Sequence, residues 1–385
     1  MRGAHGKRPT VLLQQPSKAR AWVEVRPGAL RRNFRRIRES VGSHARLIPM
    51  VKGDGYGLGM EDVVRALEPE RPWGLGVATV EEGVRLRETG VTTPVIIFSP
   101  APPGSYDSAV AHDLTLTVSD LDAVERVAAA ASRTGLAGRF HVEIDTGMGR
   151  SGFDWRRVSE WGAALLDRTS DASTWEGCFT HFHSADLEDD KTTLAQWEVF
   201  KGAVERLKPE PGNMIHACNG AAALRYPGLA GDAVRPGVFL YGGSVGAGNE
   251  APEEVVRVCA RVTLIREVPE GTTLGYGATY RSAARERWAT LGVGYGDGFP
   301  RVLGNRGRVL LSGRMVPIIG RISMDMTVVD ITGGDGVKVG DIATLIGSAG
   351  DLAITLDEVA DLAGTISYEI LTGLSARMPR IWNTE

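Results

Sequence analysis

The stretch "RLIPMVKGDGYGLGM", Arg46 to Met60, sets a lysine at the end of an apolar run and fills the positions after it with glycine. Leu47 to Val51 reads as a buried strand, and Lys52 follows it directly. Glycine stands at positions 53, 55, 57 and 59, with Tyr56 among them. Glycine permits backbone conformations and close approaches denied to other residues. The stretch therefore reads as a strand, an amine at its end, and a loop built to come close to something.

Working outward, seven more strand-like runs follow: "WGLGVAT", "PVIIFSP", "LTLTVSD", "RFHVEIDTG", "WEGCFTHF", "MIHACNG" and "AVRPGVFLYG". Amphipathic segments lie between them, such as "LAQWEVFKGAVERL" with Leu194, Trp197, Val204 and Leu207 on one face. Eight strands alternating with helices predict a parallel sheet. Over about 220 residues the economical form is an α/β (β/α)8 TIM-type barrel, here placed at residues 20–250. A doubly wound open sheet is the alternative, because periodicity alone does not reveal closure. From residue 251 to 385 the texture changes. Strand-like runs succeed one another without helices: "VCARVTLIREV", "WATLGVG", "GRVLLSG", "MTVVDIT" and "DIATLIG". This predicts a mostly β C-terminal domain, closed by the helical "LDEVADLAGTISYEILTGL" and a last strand "MPRIW". Residues 1–19 are basic with an apolar core of only "VLL", so they read as a loose N-terminal arm rather than a signal peptide.

The net charge of −3 offers no global field for nucleic acid or a membrane surface. The arginines of "RRNFRRIRESV" interleave with Leu30, Phe34, Ile37 and Val41 at helical spacing, so they read as the solvated face of a helix. Three scattered cysteines, Cys178, Cys218 and Cys259, make no disulfide framework and suit a reducing cytoplasm. No metal-ligand spacing occurs, and no apolar run approaches the roughly 18 residues of a membrane span.

In a barrel, chemistry sits at the carboxyl ends of the strands. Lys52 follows the first strand, Arg150 lies beyond the fifth, and His181 is at the sixth. Asn219 and Gly220 end the seventh, and Arg235 lies in the eighth. Lysine forms Schiff bases when desolvation or neighbouring cations lower its pKa. Arginine grips carboxylate and phosphate through its fork of donors. A lysine aldehyde trap, a phosphate cradle and a ring-nitrogen partner are the parts of a pyridoxal phosphate site.

"MVKGDGYGLG" resembles the cofactor-lysine signature of alanine racemases, which are fold-type III pyridoxal phosphate enzymes. "VEIDTGMGRSGF", "THFHSAD", "CNGAAALRYP", "VRPGVFLYG", "GYGATYRS", "VGYGDGFPR", "GRISMDMTVVD" and "YEILTGLSARMPRI" resemble further family segments in family order. The resemblance runs from about Trp22 to Trp382. It implies a head-to-tail homodimer with shared active sites and an amino-acid racemase activity, with alanine as substrate. Lys52 would hold pyridoxal 5'-phosphate and act as base on the D-side. Tyr276, supplied by the other subunit, would be the base on the L-side, aided by His181 and, through it, Arg235. Arg235 would face the pyridine nitrogen. Tyr56, Gly220, Gly237 and Val238 would cradle the phosphate, with Asn219 beside them. Arg150 and the Met324 backbone would bind the substrate carboxylate and nearby groups, with Asp325 in the same loop and Tyr295 lining the entrance.

The sequence departs from the family pattern at four positions. Glu143 stands where many members carry a carbamylated lysine that orients the substrate-binding arginine. Glu143 is either an anionic substitute serving Arg150 or a plain strand-end glutamate. Gly220 replaces a phosphate-binding serine, Ala376 a tyrosine facing phosphate and substrate, and Leu58 a histidine of the glycine loop. Ala376 motivates a second reading, a racemase for serine or a larger amino acid. A non-catalytic pyridoxal phosphate carrier and a decarboxylase are further alternatives, and Tyr276, Met324 and Asp325 speak against the carrier.

Overall fold

The computed structural model describes residues 18–169, 173–246 and 248–383. The chain divides into two compact units. One is Gly28–Glu253; the other joins the residues up to Pro27 with those from Glu254 onward.

In the first unit the strands Leu75–Val77, Val95–Ile97, Thr115–Val118, Gly138–Asp145, Ser173–Phe179 and Met214–His216 lie side by side and parallel. Ala233–Val234 pairs in parallel with Arg46–Leu47. Parallel bridges Met50–Gly76 and Asn219–Arg235 join these two to the rest. Val51 N donates to Gly76 O at 2.8 Å and Arg235 N to Cys218 O at 2.9 Å, so backbone bonds run right round. This is the closed eight-stranded barrel that the alternating pattern predicts, and the open sheet is excluded.

The strands form because their runs are apolar or β-branched on both faces. Every residue of Val95–Ile97 and Thr115–Val118 is buried, as befits parallel strands covered by helices outside and packed within. The helix Leu121–Thr134 illustrates the outer layer. The Asp120 side chain accepts from Ala123 N at its start, and Gly135 ends it in a left-handed conformation at φ 70°. Val124, Val127, Ala130 and Ala131 are buried, and each valine contributes about 1.5–3 kcal/mol on the transfer scale. Gly138 on the next strand lets this helix sit close, since a Cβ there would stand 2.6 Å from Val127 Cγ1. Gly138→Leu is the single change that would force helix and strand apart.

The arginine-rich helix Pro27–Val41 buries Leu30, Phe34, Ile37 and Val41 as its spacing predicts. Its arginines are not simply solvated. Arg35 and Arg38 converge on the buried Glu70, Arg32 pairs with Glu253, and Arg36 with Glu250. Intramolecular partners thus occupy the face that resembles a basic patch.

The second unit is mostly β. Val256–Val268, Glu286–Leu291, Thr327–Asp330, Arg314–Ile319, Arg308–Leu311 and Ile342–Ala349 pair antiparallel in a closed circuit of six strands. Register shifts between Val258 and Cys259 and between Val262 and Leu264 bend the long Val256–Val268 strand so that it pairs along both halves. One expectation is corrected here. Residues 20–27, assigned above to the barrel domain, belong to this unit. Ala21–Val25 pairs antiparallel with Val256–Val268 and parallel with Arg380–Trp382. Its apolar residues Ala21, Trp22, Val23 and Val25 are buried there. The proposed N-terminal arm lies almost wholly outside the described residues. No helix among the described residues is long and apolar enough to cross a membrane.

Candidate active site

Lys52 leaves its strand into a loop of unusual backbone. Gly53, Asp54, Gly55 and Tyr56 all have positive φ, at 65°, 54°, 63° and 53°. Left-handed backbone costs roughly 1–2 kcal/mol for each residue with a Cβ, so glycine at 53 and 55 is dictated by conformation. The two residues that bear the cost are anchored. Asp54 Oδ1 accepts from Met60 N at 3.3 Å and from Arg85 at 3.1 Å. The Tyr56 ring stacks on Tyr241 at 4.4 Å between centroids. Gly55 also faces Val63 and Met60 so closely that a Cβ would meet Val63 Cγ2 at 2.8 Å. Leu58, in the place of the family's histidine, is fully buried. An apolar side chain suits that position.

Glu82 clamps the loop from below. Its two oxygens accept from Gly53 N at 2.6 Å and from Ala78 N at 2.8 Å. The Lys52 amine is half-buried and is pushed below the ordinary lysine value. Burial is the chief cause, the charge of Arg150 the next; Glu82 opposes them and Arg235 adds to them.

Arg150 is exposed at the tip of a loop that Asp145 shapes: Asp145 Oδ1 accepts from Gly147 N at 2.9 Å and Gly149 N at 3.0 Å. Among the described residues the Arg150 guanidinium has no hydrogen-bond or ion-pair partner. It acts on Lys52, His181 and Arg235 through its charge. Glu143 lies buried in the barrel wall and accepts from Ser119 Oγ at 3.2 Å. No ion pair joins it to Arg150. Gly152 folds back over it, with its missing Cβ only 3.2 Å from Glu143 Cγ.

Arg235 is buried and nearly saturated. Nη1 donates to His216 Nδ1 at 2.7 Å, while Nη2 donates to Thr180 O at 2.8 Å and Ala217 O at 2.9 Å and stands 3.4 Å from His181 Nδ1. Its Nε–H has no acceptor among the described residues. Burial lowers this guanidinium to about 10. Burial, then the charges of Arg235, Arg150 and Lys52, hold His181 down to about 3. His181 is therefore neutral at physiological pH.

Gly220, Gly237 and Val238 come together at the starts of two short helical turns, Gly220–Arg225 and Val238–Tyr241. Their N–H groups have no acceptor among the described residues. A Cβ on Gly220 would lie 3.7 Å from Gly237 N, and one on Gly237 would lie 2.3 Å from the Tyr56 hydroxyl. Asn219, expected beside the cofactor, is engaged within the protein. Its Oδ1 caps Ala222 N at 3.0 Å and its amide reaches Phe182 O at 3.4 Å, so both ends of the side chain serve the fold.

The remaining candidates belong to the β unit. Tyr276 sits at the tip of the hairpin Thr273–Leu274 and Tyr280–Arg281, 66% exposed and flanked by Gly275 and Gly277 at positive φ. Tyr295 N donates to Ser323 O at 3.1 Å and Gly296 N to Met324 O at 2.8 Å, so the Tyr295 and Met324 loops are docked together. The Asp325 carboxylate is held by Arg377 at 2.5 Å. Arg377 also reaches the buried Asp297 at 3.5 Å, which Arg20 holds at 2.6 Å. Ala376, next to Arg377, is exposed.

Several contributors escape sequence reasoning. Glu82 lies on a helix far along the chain from the loop it clamps. Tyr241, whose hydroxyl donates to Met50 O at 2.8 Å, reads as an ordinary residue of "VFLYG". His141 and His216 read as strand residues, although the alternation of each strand could have marked them as inward-facing.

Residues 25–245 match the family described as "Alanine racemase, N-terminal domain", and residues 255–382 match "Alanine racemase, C-terminal domain". The chain is 36% identical to an alanine racemase of Halothermothrix orenii over 93% of this chain and 96% of that protein. It is 36% identical to that of Carboxydothermus hydrogenoformans over 94% and 99%. The solved alanine racemase of a D-cycloserine-producing Streptomyces lavendulae superposes with a TM-score of 0.89 at 30% identity, covering 95% of this chain and 98% of that one. The Bacillus anthracis alanine racemase solved with bound L-Ala-P gives 0.88 at 32%, covering 95% and 96%. With both domains matched in order over nearly the whole length, the chain belongs to the alanine racemase family.

Proposed function

We propose that this chain is a pyridoxal phosphate-dependent racemase that interconverts L- and D-alanine. The observation that carries this reading is Lys52, an amine with a depressed pKa at the end of a barrel strand, beside the unpaired Arg150 and the buried Arg235. The donor set fits the cofactor. Three N–H groups without acceptors and the Tyr56 hydroxyl suit a phosphate, and the open Nε–H of Arg235 suits an accepting ring nitrogen.

When bound, pyridoxal phosphate supplies an aldehyde that captures amines and a conjugated ring that acidifies the substrate Cα–H. Lys52 anchors the cofactor and moves the Cα proton on the D-side. The partner subunit's Tyr276 moves it on the L-side, in a head-to-tail homodimer. Inversion needs a proton removed from one face and returned to the other, so two bases suit it. Phenol has an ordinary pKa of about 10, so its anion needs donors. His181 accepts at Nδ1 from Arg235 and, being neutral, carries its proton on Nε2 for that purpose. Arg235 keeps its proton and leaves the ring a weaker electron sink than an acid would, which disfavours transamination. Arg150 and the Met324 backbone take the substrate carboxylate and nearby groups, and Tyr295 lines the entrance. The three buried free thiols accord with a reducing cytoplasm.

Borohydride reduction of the loaded protein is expected to fix the cofactor onto the peptide containing Lys52. Tyr276→Phe is expected to lower racemisation by roughly 10²–10⁴-fold, the usual worth of a positioned base. Full activity in that variant would end the two-base assignment. Ala376 favours a second reading, a racemase of serine or a larger amino acid. A panel of D-amino acids scored for deuterium uptake at Cα separates the two, and strict alanine selectivity removes the second.

A further inference from the structure

Inside the barrel, polar side chains form a file that leads away from the site. Arg235 Nη1 donates to His216 Nδ1 at 2.7 Å, and His216 Nε2 stands 3.0 Å from His141 Nδ1. Arg235, His216 and His141 are 4%, 0% and 1% exposed, so water does not compete for these bonds.

The direction of the file follows from its protons. A guanidinium has no lone pair to offer, so His216 Nδ1 accepts. Burial, then the charges of Arg235 and His141, keep His216 well below the ordinary histidine value, so it is neutral. A neutral imidazole that accepts at Nδ1 carries its proton on Nε2. That proton is donated to His141 Nδ1. Burial and then Arg235 hold His141 at about 3, so it too is neutral, with its proton on Nε2. His141 lines a cavity of about 710 Å³ at the amino ends of the strands, with Arg46, Thr115, Arg139 and Asn213. Its Nε2 has no partner among the described residues.

Packing leaves one degree of freedom to be decided. The His216 ring stacks on Phe179 at 5.0 Å and meets the edge of Phe98 at 6.1 Å. These contacts hold the plane of the ring but not which nitrogen carries the proton. Arg235 asks for a bare Nδ1, and His141 secures that form by accepting from His216 Nε2. It sits at the register shift after Phe140, opposite Gly177, whose missing Cβ would lie 3.1 Å from the His141 ring. Without an acceptor at His141, the buried Nε2–H of His216 is left unmade. The other tautomer relieves it but turns an N–H toward the Arg235 N–H, a donor against a donor.

We propose that His141 is a positioning residue: by accepting from His216 Nε2 it secures the tautomer that holds Arg235 in place for the cofactor. This rests on the reading of Arg235 as the ring-nitrogen partner. His141 and His216 touch no substrate and act only through Arg235.

The test compares His141→Leu, which removes the acceptor at similar size, with His141→Asn, whose Oδ1 falls near the place of Nδ1. Both are measured for the absorbance band of bound pyridoxal phosphate and for its Kd. His141→Leu is expected to shift the band and weaken cofactor binding about tenfold, the scale of one unmade bond in a buried network. His141→Asn is expected to restore both. An unchanged band and Kd in His141→Leu, or equal loss in both variants, overturns the proposal. Imidazole ¹⁵N spectra of the unsubstituted protein, with and without cofactor, are expected to show His216 and His141 protonated on Nε2. A proton on Nδ1 of His216 also overturns it, whether or not His141→Leu folds. Failure to bind pyridoxal phosphate at all would instead sink the cofactor reading, with the tautomers still reporting on the file.

Discussion

The Tyr56 hydroxyl rests against the backbone of Gly237, where an added Cβ would stand 2.3 Å away. Tyr56 is itself wedged, with its ring on Tyr241 and its backbone in the left-handed region. It cannot step aside cheaply. Gly237→Ala is therefore expected to displace the phenol from the N–H cluster. Overpacking of this kind costs about 1–3 kcal/mol. Cofactor titration of the variant should show Kd raised by roughly ten- to a hundredfold, and an unchanged Kd would mean that Tyr56 does not grip the phosphate.

Gly220 is the opposite case. A Cβ there meets nothing nearer than 3.7 Å, and its backbone is not left-handed. Gly220→Ser is expected to leave the melting temperature unchanged and to add one hydroxyl donor beside the Gly237 N–H. Net hydrogen bonds to charged groups contribute about 1.5–3 kcal/mol, so cofactor affinity should rise by about tenfold or more. Equal or weaker binding in the titration would place the phosphate elsewhere.

What was legible follows from how far each signal reaches along the chain. The barrel strands announce themselves locally, as apolar runs bounded by glycine and polar residues. Lys52 and Arg235 stand at the ends of such runs, and Arg150 on the loop that follows one. Ala21–Val25 gave no such cue, because its partner is Val256–Val268, far along the chain, and a strand does not name its partner. The ion pairs of Arg35 and Arg38 with Glu70 were hidden for the same reason. The link from His141 to His216 depends on barrel register, including a shift at Phe140 that no periodicity records.

Lys52 offers a test by pH. Its amine is depressed by burial and by Arg150, against Glu82. Capture of free aldehyde by the cofactor-free protein needs the neutral amine, so its rate should rise with pH through a midpoint below the ordinary lysine value of about 10.4. Arg150→Leu removes a positive neighbour, which favours the ammonium and moves the midpoint up. Glu82→Gln removes a negative neighbour, which disfavours the ammonium and moves it down. Shifts of the same sign in the two variants would contradict the electrostatic account.

The loop that bears Arg150 takes its shape from Asp145 rather than from Glu143. The Glu143 carboxylate accepts from Ser119 and forms no ion pair with Arg150, which is exposed on its own loop. The loop is shaped instead by Asp145 through Gly147 N and Gly149 N. Glu143→Gln keeps an acceptor for Ser119 and loses only charge. KM for alanine is expected to stay within about threefold, the scale of an ion pair that contributes little. Asp145→Ala releases two backbone donors from one oxygen, and the loop should lose its set. KM is then expected to rise by about tenfold or more, since each lost charge-assisted bond costs about 1.5–3 kcal/mol. The reverse order, with KM sensitive to Glu143 and indifferent to Asp145, would show that Glu143 has taken over the work of the family's modified lysine.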